Sequence, residues 1–488
     1  MKPMVKHSTR QIAPAMSFPG FRAPYPVLLY AVLSLAGCAS VGPDYEAPGI
    51  AAPAAWQTQL PNAETAAPDR LTRWWTQLDD PLLNDLIAQA LTANPDLAAA
   101  EAALREARAR SRVAGADLQP SLSASGSANR SSASGGPGHT LYSAGFDASW
   151  EADLFGGTRR GIEAAQADYE ATRAKLEDVQ VSIAAEVALN YVSLRSYQQR
   201  LAIARANLES QTETLQLTDW RVQAGLASSV ELAQARANRA QTAAQIPTLE
   251  TGRTQAEYAL AVLLGENPGE LGERLAEVAP LPTLPAHILV GIPADTLRQR
   301  PDIRAAERSL AAETARIGVA EANLYPALKL SGSLGAEAAT IGALGGADTI
   351  ARALAAGLSG TLFDGGRLRG QVDIQQAVRE QTLIAYRSAV LTAVQDVENA
   401  LVAWQNDQQR VRDLTVAVTA AQDAALLARQ RYQGGLIDFQ TVLETDRSRL
   451  SAEDSLASAE ADRINDLIQL YKAFGGGWSN PADAEERP

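Results

Sequence analysis

Two hydrophobic periodicities alternate along this chain, and both occur in each half. Over residues 121–130, serines alternate with Leu122 and small residues, which gives a strand one polar and one less polar face. A period of two returns over residues 141–154, 327–338 and 352–363. The pattern therefore predicts two pairs of strands, with a turn-rich loop inside each pair.

Each strand pair is followed by a much longer segment with helical periodicity. Residues 158–224 contain no proline, and their apolar residues recur every seven positions apart from one step of four between Ile183 and Val187. Residues 367–433 carry the same spacing of seven. The two segments predict closely packed helices about 100 Å long.

The two halves of the chain are related by an internal duplication. Residues 300–333 align without a gap on residues 94–127 at a constant shift of 206 positions, which matches Pro120 with Pro326. In both copies an alanine-rich helical segment stops at that proline and a strand begins. The duplication predicts one architecture built from two equivalent halves.

Both long helices end at related glycine turns. Residues 221–226 match residues 431–436, and a glycine just past the last helical turn favours a left-handed cap. The return helices, predicted over 229–264 and 439–474, should therefore run antiparallel to the long ones. Pro247 is expected to kink or break the first return helix.

These elements divide the chain into five predicted parts. Residues 1–37 are assigned to a signal peptide and residues 38–73 to an acylated, extended leash. Residues 74–290 form the first structural repeat and residues 291–475 the second. Residues 476–488 are expected to be a disordered tail.

Cys38 is the only cysteine, and it follows a basic leader and a short apolar run over residues 27–36. That run is too short to span a bilayer, so it is typical of a signal peptide. Its ending, Leu35-Ala36-Gly37-Cys38, resembles a bacterial lipobox, which implies cleavage before Cys38 and lipidation of that residue. The alternative is a buried cysteine in an ordinary secretory leader.

Charge and composition exclude several classes of function. The net charge is −13, and residues 1–37 contribute four cations and no acid, so the mature chain carries −13 − 4 = −17. Such an acidic chain is a poor binder of nucleic acid. The histidines lie far apart, and no catalytic constellation or phosphate-binding loop is present, so the sequence predicts neither an enzyme, a metal site nor a cofactor.

Four strands are too few to close a barrel, since about eight are needed to fill an interior with side chains. Two copies of the chain would supply eight strands and three copies would supply twelve. The polar face of each strand fits a water-filled lumen, and the apolar face fits lipid. A soluble sheet packed on the helices would alternate equally well.

Several motifs occur together across the mature chain: Val41-Gly42-Pro43-Asp44-Tyr45, Trp74-Trp75, Asn94-Pro95-Asp96-Leu97, Arg300-Pro301-Asp302-Ile303-Arg304, Leu362-Phe363-Asp364-Gly365-Gly366 and Arg431-Tyr432. With them the chain resembles the outer membrane factor (TolC-like) family. The resemblance is to the lipoprotein branch that serves resistance–nodulation–division efflux pumps.

The resemblance implies a mainly α fold with a β-barrel part. Three copies would form a twelve-stranded barrel in the outer membrane, continued by a long α-helical barrel in the periplasm. The implied function is a passive conduit that exports small molecules together with a periplasmic adaptor protein and an inner-membrane pump. The alternatives are the channel of a type I protein secretion system and a periplasmic coiled-coil lipoprotein without a pore.

The resemblance also assigns roles to the helical tips. The tips are expected to dock the adaptor protein, through Arg221, Gly225, Leu226, Arg431, Tyr432, Gly435 and Leu436.

A periplasmic gate is expected on the second return helix. Glu444 and Arg447 lie at i,i+3, where an ion pair can form, and they match an acid and an arginine that constrict the closed tip in related lipoproteins. Gln440 stands where the family has a constriction leucine. The first-half equivalents, Gln234 and Ala237, carry no charge, so only the second half has these gate residues. A surface ion pair without a gating role is the alternative.

Two further acids, Asp438 and Asp446, lie beside the expected gate. Their charge predicts an opening that favours cations.

Overall fold

A computed structural model describes residues 40–49, 52–60, 63–65, 71–132 and 138–478. The predicted signal peptide, Cys38 and residues 479–488 lie outside the described residues. Residues 476–478, expected to belong to a disordered tail, are ordered instead. The Gly477 amide donates to the Leu71 carbonyl at 3.1 Å, and the Trp478 ring lies 5.0 Å from the Arg304 guanidinium carbon.

The helices and strands alternate in two similar series. The helices are α1 (Pro81–Ala93), α2 (Pro95–Ala116), α3 (Gly157–Gln223), α4 (Ser229–Leu263), α5 (Pro293–Gln299), α6 (Pro301–Ala322), α7 (Arg367–Gln433) and α8 (Phe439–Ala473). The strands are β1 (Ala63–Thr65), β2 (Ser121–Ser131), β3 (His139–Ala152), β4 (Ile288–Val290), β5 (Ala327–Ala338) and β6 (Ile350–Ser359). Short 3-10 turns at Trp74–Leu78, Ile341–Ala343 and Ala347–Thr349 complete the described elements.

The main sheet contains four antiparallel strands in the order β2-β3-β5-β6. The two halves therefore meet at the β3–β5 pair, and β2 and β6 form the edges. Residues 360–363, expected at the end of the fourth strand, lie beyond β6. The ladder stops where Ser359 pairs with Ala327, because the preceding residue, Pro326, has no amide hydrogen to donate.

The cross-strand register sorts the side chains of this sheet onto two faces. One row runs from Leu122 through Ala148 and Gly332 to Leu354, and rows of this kind make up the apolar face. The rows between them carry serines and charges and make up the polar face. On the polar face Lys329 pairs with Glu151 at 3.4 Å.

Helix α4 continues through Pro247, so this residue does not break the helix, and the expected kink stays a prediction. Proline removes one backbone donor, and packing on the neighbouring helix compensates for that loss. Leu249, two residues later, is 8% exposed and packs with Leu201 and Ala204 of α3.

The largest hydrophobic cluster of the described residues lies at the middle of the long helices α3 and α7. It joins the Trp74–Leu78 turn and α1 to α3, α4, α7, α8 and the linker strand β4. Trp74 is fully buried, and its ring centroid lies 5.7 Å from that of Tyr471 on α8. Much of the buried surface between α3 and its neighbours nearer the sheet comes from alanines, which lets those helices approach closely. No helix in the described ranges is long and apolar enough to cross a membrane.

The N-terminal leash lies in a slot between α3 and α6. The Val41 amide donates to the Phe155 carbonyl at 3.0 Å. Arg160, 5% exposed, donates in turn to the Val41 carbonyl at 3.1 Å and to Asp44 at 2.6 Å. A Cβ atom on Gly318 would lie 2.8 Å from the Val41 carbonyl oxygen and 2.7 Å from Arg160 Cγ. The slot therefore depends on the absence of a side chain at position 318.

Two helical glycines give a matched test of the slot. Gly318→Ala places a Cβ inside it, whereas a Cβ on Gly161 of α3 meets nothing within 4 Å. Both changes improve helix propensity by up to about 1 kcal/mol. Gly161→Ala is therefore expected to raise the thermal unfolding temperature. Gly318→Ala is expected to destabilise by about 1–3 kcal/mol and to make the leash sensitive to protease. Equal leash protection in both variants would contradict this account.

Candidate functional site at the helical tips

The chain reverses direction at two tips that share one backbone geometry. Gly225 has φ 72° and Gly435 has φ 69°, the left-handed conformation that glycine adopts without strain. The Leu226 amide donates to the Arg221 carbonyl at 2.7 Å, and the Leu436 amide donates to Arg431 at 2.9 Å. These are Schellman caps, in which the residue after the glycine bonds back to the last helical turn.

The turns present a leucine to solvent at each tip. Leu226 is 70% exposed and Leu436 is 77% exposed. Arg431 is exposed as well. These predicted docking residues therefore lie on an accessible surface, whereas Tyr432, predicted with them, is 3% exposed. Its burial points to a role in holding the tip together.

The return helices begin with side-chain caps of different chemistry. Ser228 and Glu231 form a reciprocal capping box at the start of α4. Asp438 accepts the Thr441 amide at 2.9 Å at the start of α8. Hydrogen bonds from Thr441 lower the pKa of Asp438, so this carboxylate is an ionised helix cap.

Tyr432 joins the second tip to the first. The Arg221 guanidinium stacks over the Tyr432 ring at 4.5 Å and donates to the Tyr432 carbonyl at 2.9 Å. The Tyr432 hydroxyl donates to Glu231 at 3.2 Å, and burial raises the pKa of this tyrosine. Arg221, Tyr432 and Glu231 together are called the tip latch below. The hydrogen bond of Glu231 across the tip joins residues 201 positions apart, so it leaves no local pattern in the sequence.

The predicted gate residues do not form the expected ion pair. Within the described part of the chain, Glu444 accepts a hydrogen bond from Gln440 at 3.2 Å. Arg447 donates instead to the side chain of Asn238 on α4 at 2.9 Å. Arg447 of α8 therefore bonds to the first return helix, α4, and not to Glu444 on its own helix. Gln440 and Glu444 both remain exposed on α8.

Asp446 is buried rather than facing the opening, which corrects the expectation that it favours cations there. It is 2% exposed and pairs with Arg429 of α7 at 3.4 Å. Burial raises the pKa of Asp446. Arg429 also contacts Ser210 of α3, so it links the two halves.

Comparison of the two halves shows that this pair exchanges its charges. The equivalents of Arg429 and Asp446 at the tip shift of 210 are Asp219 and Arg236. Their charged atoms lie 4.0 Å apart, and Arg236 is 66% exposed. The buried pair therefore belongs to the second half alone.

Further links tie the first half to α8 above the tip. Arg449 donates to Asn207 of α3 at 2.6 Å, and Asn207 donates to Glu453 at 2.9 Å. The polar residues of α3 that receive these links were not predicted as functional. No group of His, Cys, Asp or Glu side chains in the described residues is arranged to hold a metal ion.

A double-mutant cycle tests the partner of Arg447. Arg447→Ala and Asn238→Ala are expected to couple by about 0.5–1 kcal/mol in the free energy of unfolding, because each change removes the same hydrogen bond. Arg447→Ala and Glu444→Ala serve as the control cycle and are expected to be additive within about 0.3 kcal/mol. Coupling in the control cycle and none with Asn238 would show that Arg447 pairs with Glu444 instead.

Comparison with known proteins places the chain in a family. A sequence profile described as "Outer membrane efflux protein" matches residues 86–266 and 292–476. The pyoverdine export outer membrane protein OpmQ of Pseudomonas putida is 35% identical over 472 residues, covering 94% of this chain and 98% of the relative. The toluene efflux pump outer membrane protein TtgI of Pseudomonas putida is 30% identical, covering 92% and 98%.

Solved structures agree with this placement. The outer-membrane channel OprN superposes with a TM-score of 0.82 at 36% identity, covering 90% of this chain and 99% of that structure. The profile spans both halves of the chain, and the relatives match over most of its length. The chain therefore belongs to the outer membrane efflux protein family.

Proposed function

We propose that three copies of this chain close into one conduit through the outer membrane, as the channel of a tripartite efflux system. The observation that carries the proposal is the sheet, whose edges β2 and β6 have no strand partner in the described chain. Its apolar face is exposed, with Leu354 at 89% and Leu122 at 71%. Open edges are not viable in lipid, and three copies joined edge to edge give a closed barrel of twelve strands.

The polar face of the sheet suits the wall of a water-filled pore. Serines line it together with Asp147, Glu337 and the Lys329–Glu151 pair. The helices α3 and α7 each contain 67 residues, so they extend the conduit by about 100 Å. That length suits a channel that crosses the periplasm.

Transport through this conduit is passive, and other proteins supply its drive. We assign the exposed tip leucines, Leu226 and Leu436, to contacts with a periplasmic adaptor protein. The inner-membrane partner is a pump of the resistance–nodulation–division type. The relatives OpmQ and TtgI are named for export of pyoverdine and efflux of toluene, which favours small molecules over proteins as cargo.

The leash supports a lipid anchor at Cys38. Ser40, two residues after this cysteine, lies so close to Gly156 that a Cβ there would be 2.3 Å from the Ser40 hydroxyl. Gly156 precedes α3, where the sheet gives way to helix. An acyl chain at Cys38 would therefore enter the inner leaflet beside the barrel. Multiple acyl chains make such an anchor durable.

The tip is the gate of the proposed conduit. The tip latch and the Arg447–Asn238 bond hold the second hairpin against the first, and loosening them lets the hairpins separate. Glu444 and Gln440, exposed on α8 beside these links, are assigned to the constriction. Adaptor contact at the exposed turns lies within one helical turn of Tyr432, so docking is positioned to disturb the latch.

Conductance in planar bilayers tests the gate. Tyr432→Phe removes the hydrogen bond from Tyr432 to Glu231 in the tip latch, and adding Arg447→Ala removes the separate bond to Asn238. The double variant is therefore expected to open the closed channel and raise its conductance severalfold. Arg110→Ala, an exposed change on α2 away from the tip that removes only a pair with Glu106 on the same helix, is the control and should leave conductance unchanged. No conductance from either the native or the loosened protein would refute a channel.

Cysteine pairing tests the seam between copies. Phe146 of β3 pairs with Leu334 of β5. Ser121 pairs with Ser149 in the first half, and Ala327 pairs with Ser359 in the second. A residue of β5 therefore lies 206 positions after its equivalent in β2, and a residue of β6 lies 210 positions after its equivalent in β3. The equivalents of Phe146 and Leu334 are thus Ala356 of one copy and Ala128 of the next. Paired residues lie within disulfide reach.

Ala356→Cys with Ala128→Cys is therefore expected to give a covalent trimer under oxidation. Ala356→Cys with Ala124→Cys, four residues out of register, is the control and should remain monomeric on denaturing gels. Equal crosslinking of both pairs would contradict the proposed register.

A further inference from the structure

Two arginines lie on the apolar face of the sheet. Arg352 of β6 pairs with Leu334, which pairs in turn with Phe146, so its row is otherwise apolar. Arg130 of β2 pairs with Thr140, and the next row on that face pairs Ala128 with Tyr142. Arg130 and Arg352 are both exposed. On a surface that faces lipid, such charges are costly away from the headgroup region.

Neither arginine has a hydrogen-bond or ion-pair partner among the residues that the structure describes. The cation on the opposite face, Lys329, is by contrast paired with Glu151 at 3.4 Å. The carboxylates of the sheet, including Asp147 and Glu337, belong to the polar face. The charge of the outward-facing arginines is therefore not balanced from within the sheet.

Both arginines lie at the end of the sheet farthest from the helices. Arg130 is the residue before the end of β2 at Ser131, and Arg352 is two residues after the start of β6 at Ile350. The helices join the opposite ends of these strands. In the proposed membrane orientation, this level corresponds to the outer leaflet and its headgroups.

The seam between copies brings these arginines together. Ala144 of β3 pairs with Ala336 of β5, and the equivalents of these residues are Leu354 and the next copy's Arg130. Arg352 is two residues before Leu354 and on the same face, so it lies diagonal to that Arg130. Diagonal neighbours are about 7–8 Å apart and within reach of long side chains. Two guanidinium groups placed so closely repel each other unless an anion lies between them.

We propose that each seam binds the phosphate-bearing headgroup of an outer-leaflet lipid, held between Arg130 of one copy and Arg352 of its neighbour. Guanidinium groups bind phosphate oxygens in a bidentate manner, and a shared phosphate removes their mutual repulsion. The acyl chains lie against the apolar rows of Leu334, Phe146 and Leu354. The inference rests on the proposed trimer, which has three such seams.

Native mass spectrometry of the full-length, detergent-solubilised trimer tests the site. Titrated with bisphosphorylated lipid A, the native trimer is expected to retain up to three lipids. Arg130→Gln with Arg352→Gln is expected to weaken binding by about 30-fold, since each arginine contributes roughly a factor of five to anionic-lipid binding. Lys329→Gln removes one cation from the polar face of the same sheet, and it should leave lipid binding unchanged.

Two further arms identify the ligand. Dephosphorylated lipid A is expected to bind the native trimer weakly. Its affinity should be no higher than that of the double variant for bisphosphorylated lipid A. Millimolar inorganic phosphate is expected to leave the bound lipid in place, because the acyl chains contribute to its binding. Equal retention by the double variant, equal binding of the dephosphorylated lipid, or full displacement by free phosphate would each overturn the lipid site.

The same spectra separate this inference from the proposed function. A trimer without lipid selectivity overturns the lipid site and leaves the conduit intact. A protein that yields only monomers overturns both. A double variant that remains trimeric shows that its loss of lipid reflects the site and not failed assembly.

Discussion

The unpaired backbone of β2 and β6 is the constraint on which the rest of the molecule depends. Every amide and carbonyl group that enters lipid needs a hydrogen-bond partner, and the four-stranded sheet in the described part of one chain has two edges without one. Inside the chain, β3 pairs with β5. Because of the internal duplication, β6 is equivalent to β3 and β2 is equivalent to β5. The contact between β6 of one copy and β2 of the next can therefore repeat the β3–β5 pair. The same duplication repeats the connection from sheet to long helix, so the two-fold repeat of the sheet continues into the long helices.

Differences between the halves are found at the tips, where we propose the gate. The tip latch uses Arg221 and Glu231 from the first half and Tyr432 from the second. Asp446 is buried against Arg429, whereas the equivalent pair, with its charges exchanged, is largely exposed. A ring of six identical hairpins would have equal seams throughout. Here the two halves differ at these positions, so a seam between copies cannot repeat the side-chain contacts of the seam within one chain.

Periodicity and repetition predicted most of the fold, because they record which face of each element is buried. The long helices lie within one residue of their predicted bounds, and the strands deviate only at their ends, most at β6, where Pro326 stops the ladder. The side-chain contacts of the candidate site were harder to predict from the sequence. Spacing placed Glu444 near Arg447, yet Arg447 bonds to Asn238, a residue 209 positions away that only the folded chain brings near. Contacts between side chains of different helices leave no local pattern in sequence.

Amide hydrogen exchange of the assembled protein tests edge-to-edge closure most directly. If three chains close the barrel, amides on both edge strands have partners, and β2 and β6 should be protected as strongly as β3 and β5. Rapid exchange at alternate residues of β2 and β6, with protection confined to β3 and β5, would contradict closure. That result would leave a sheet with open edges and no continuous pore.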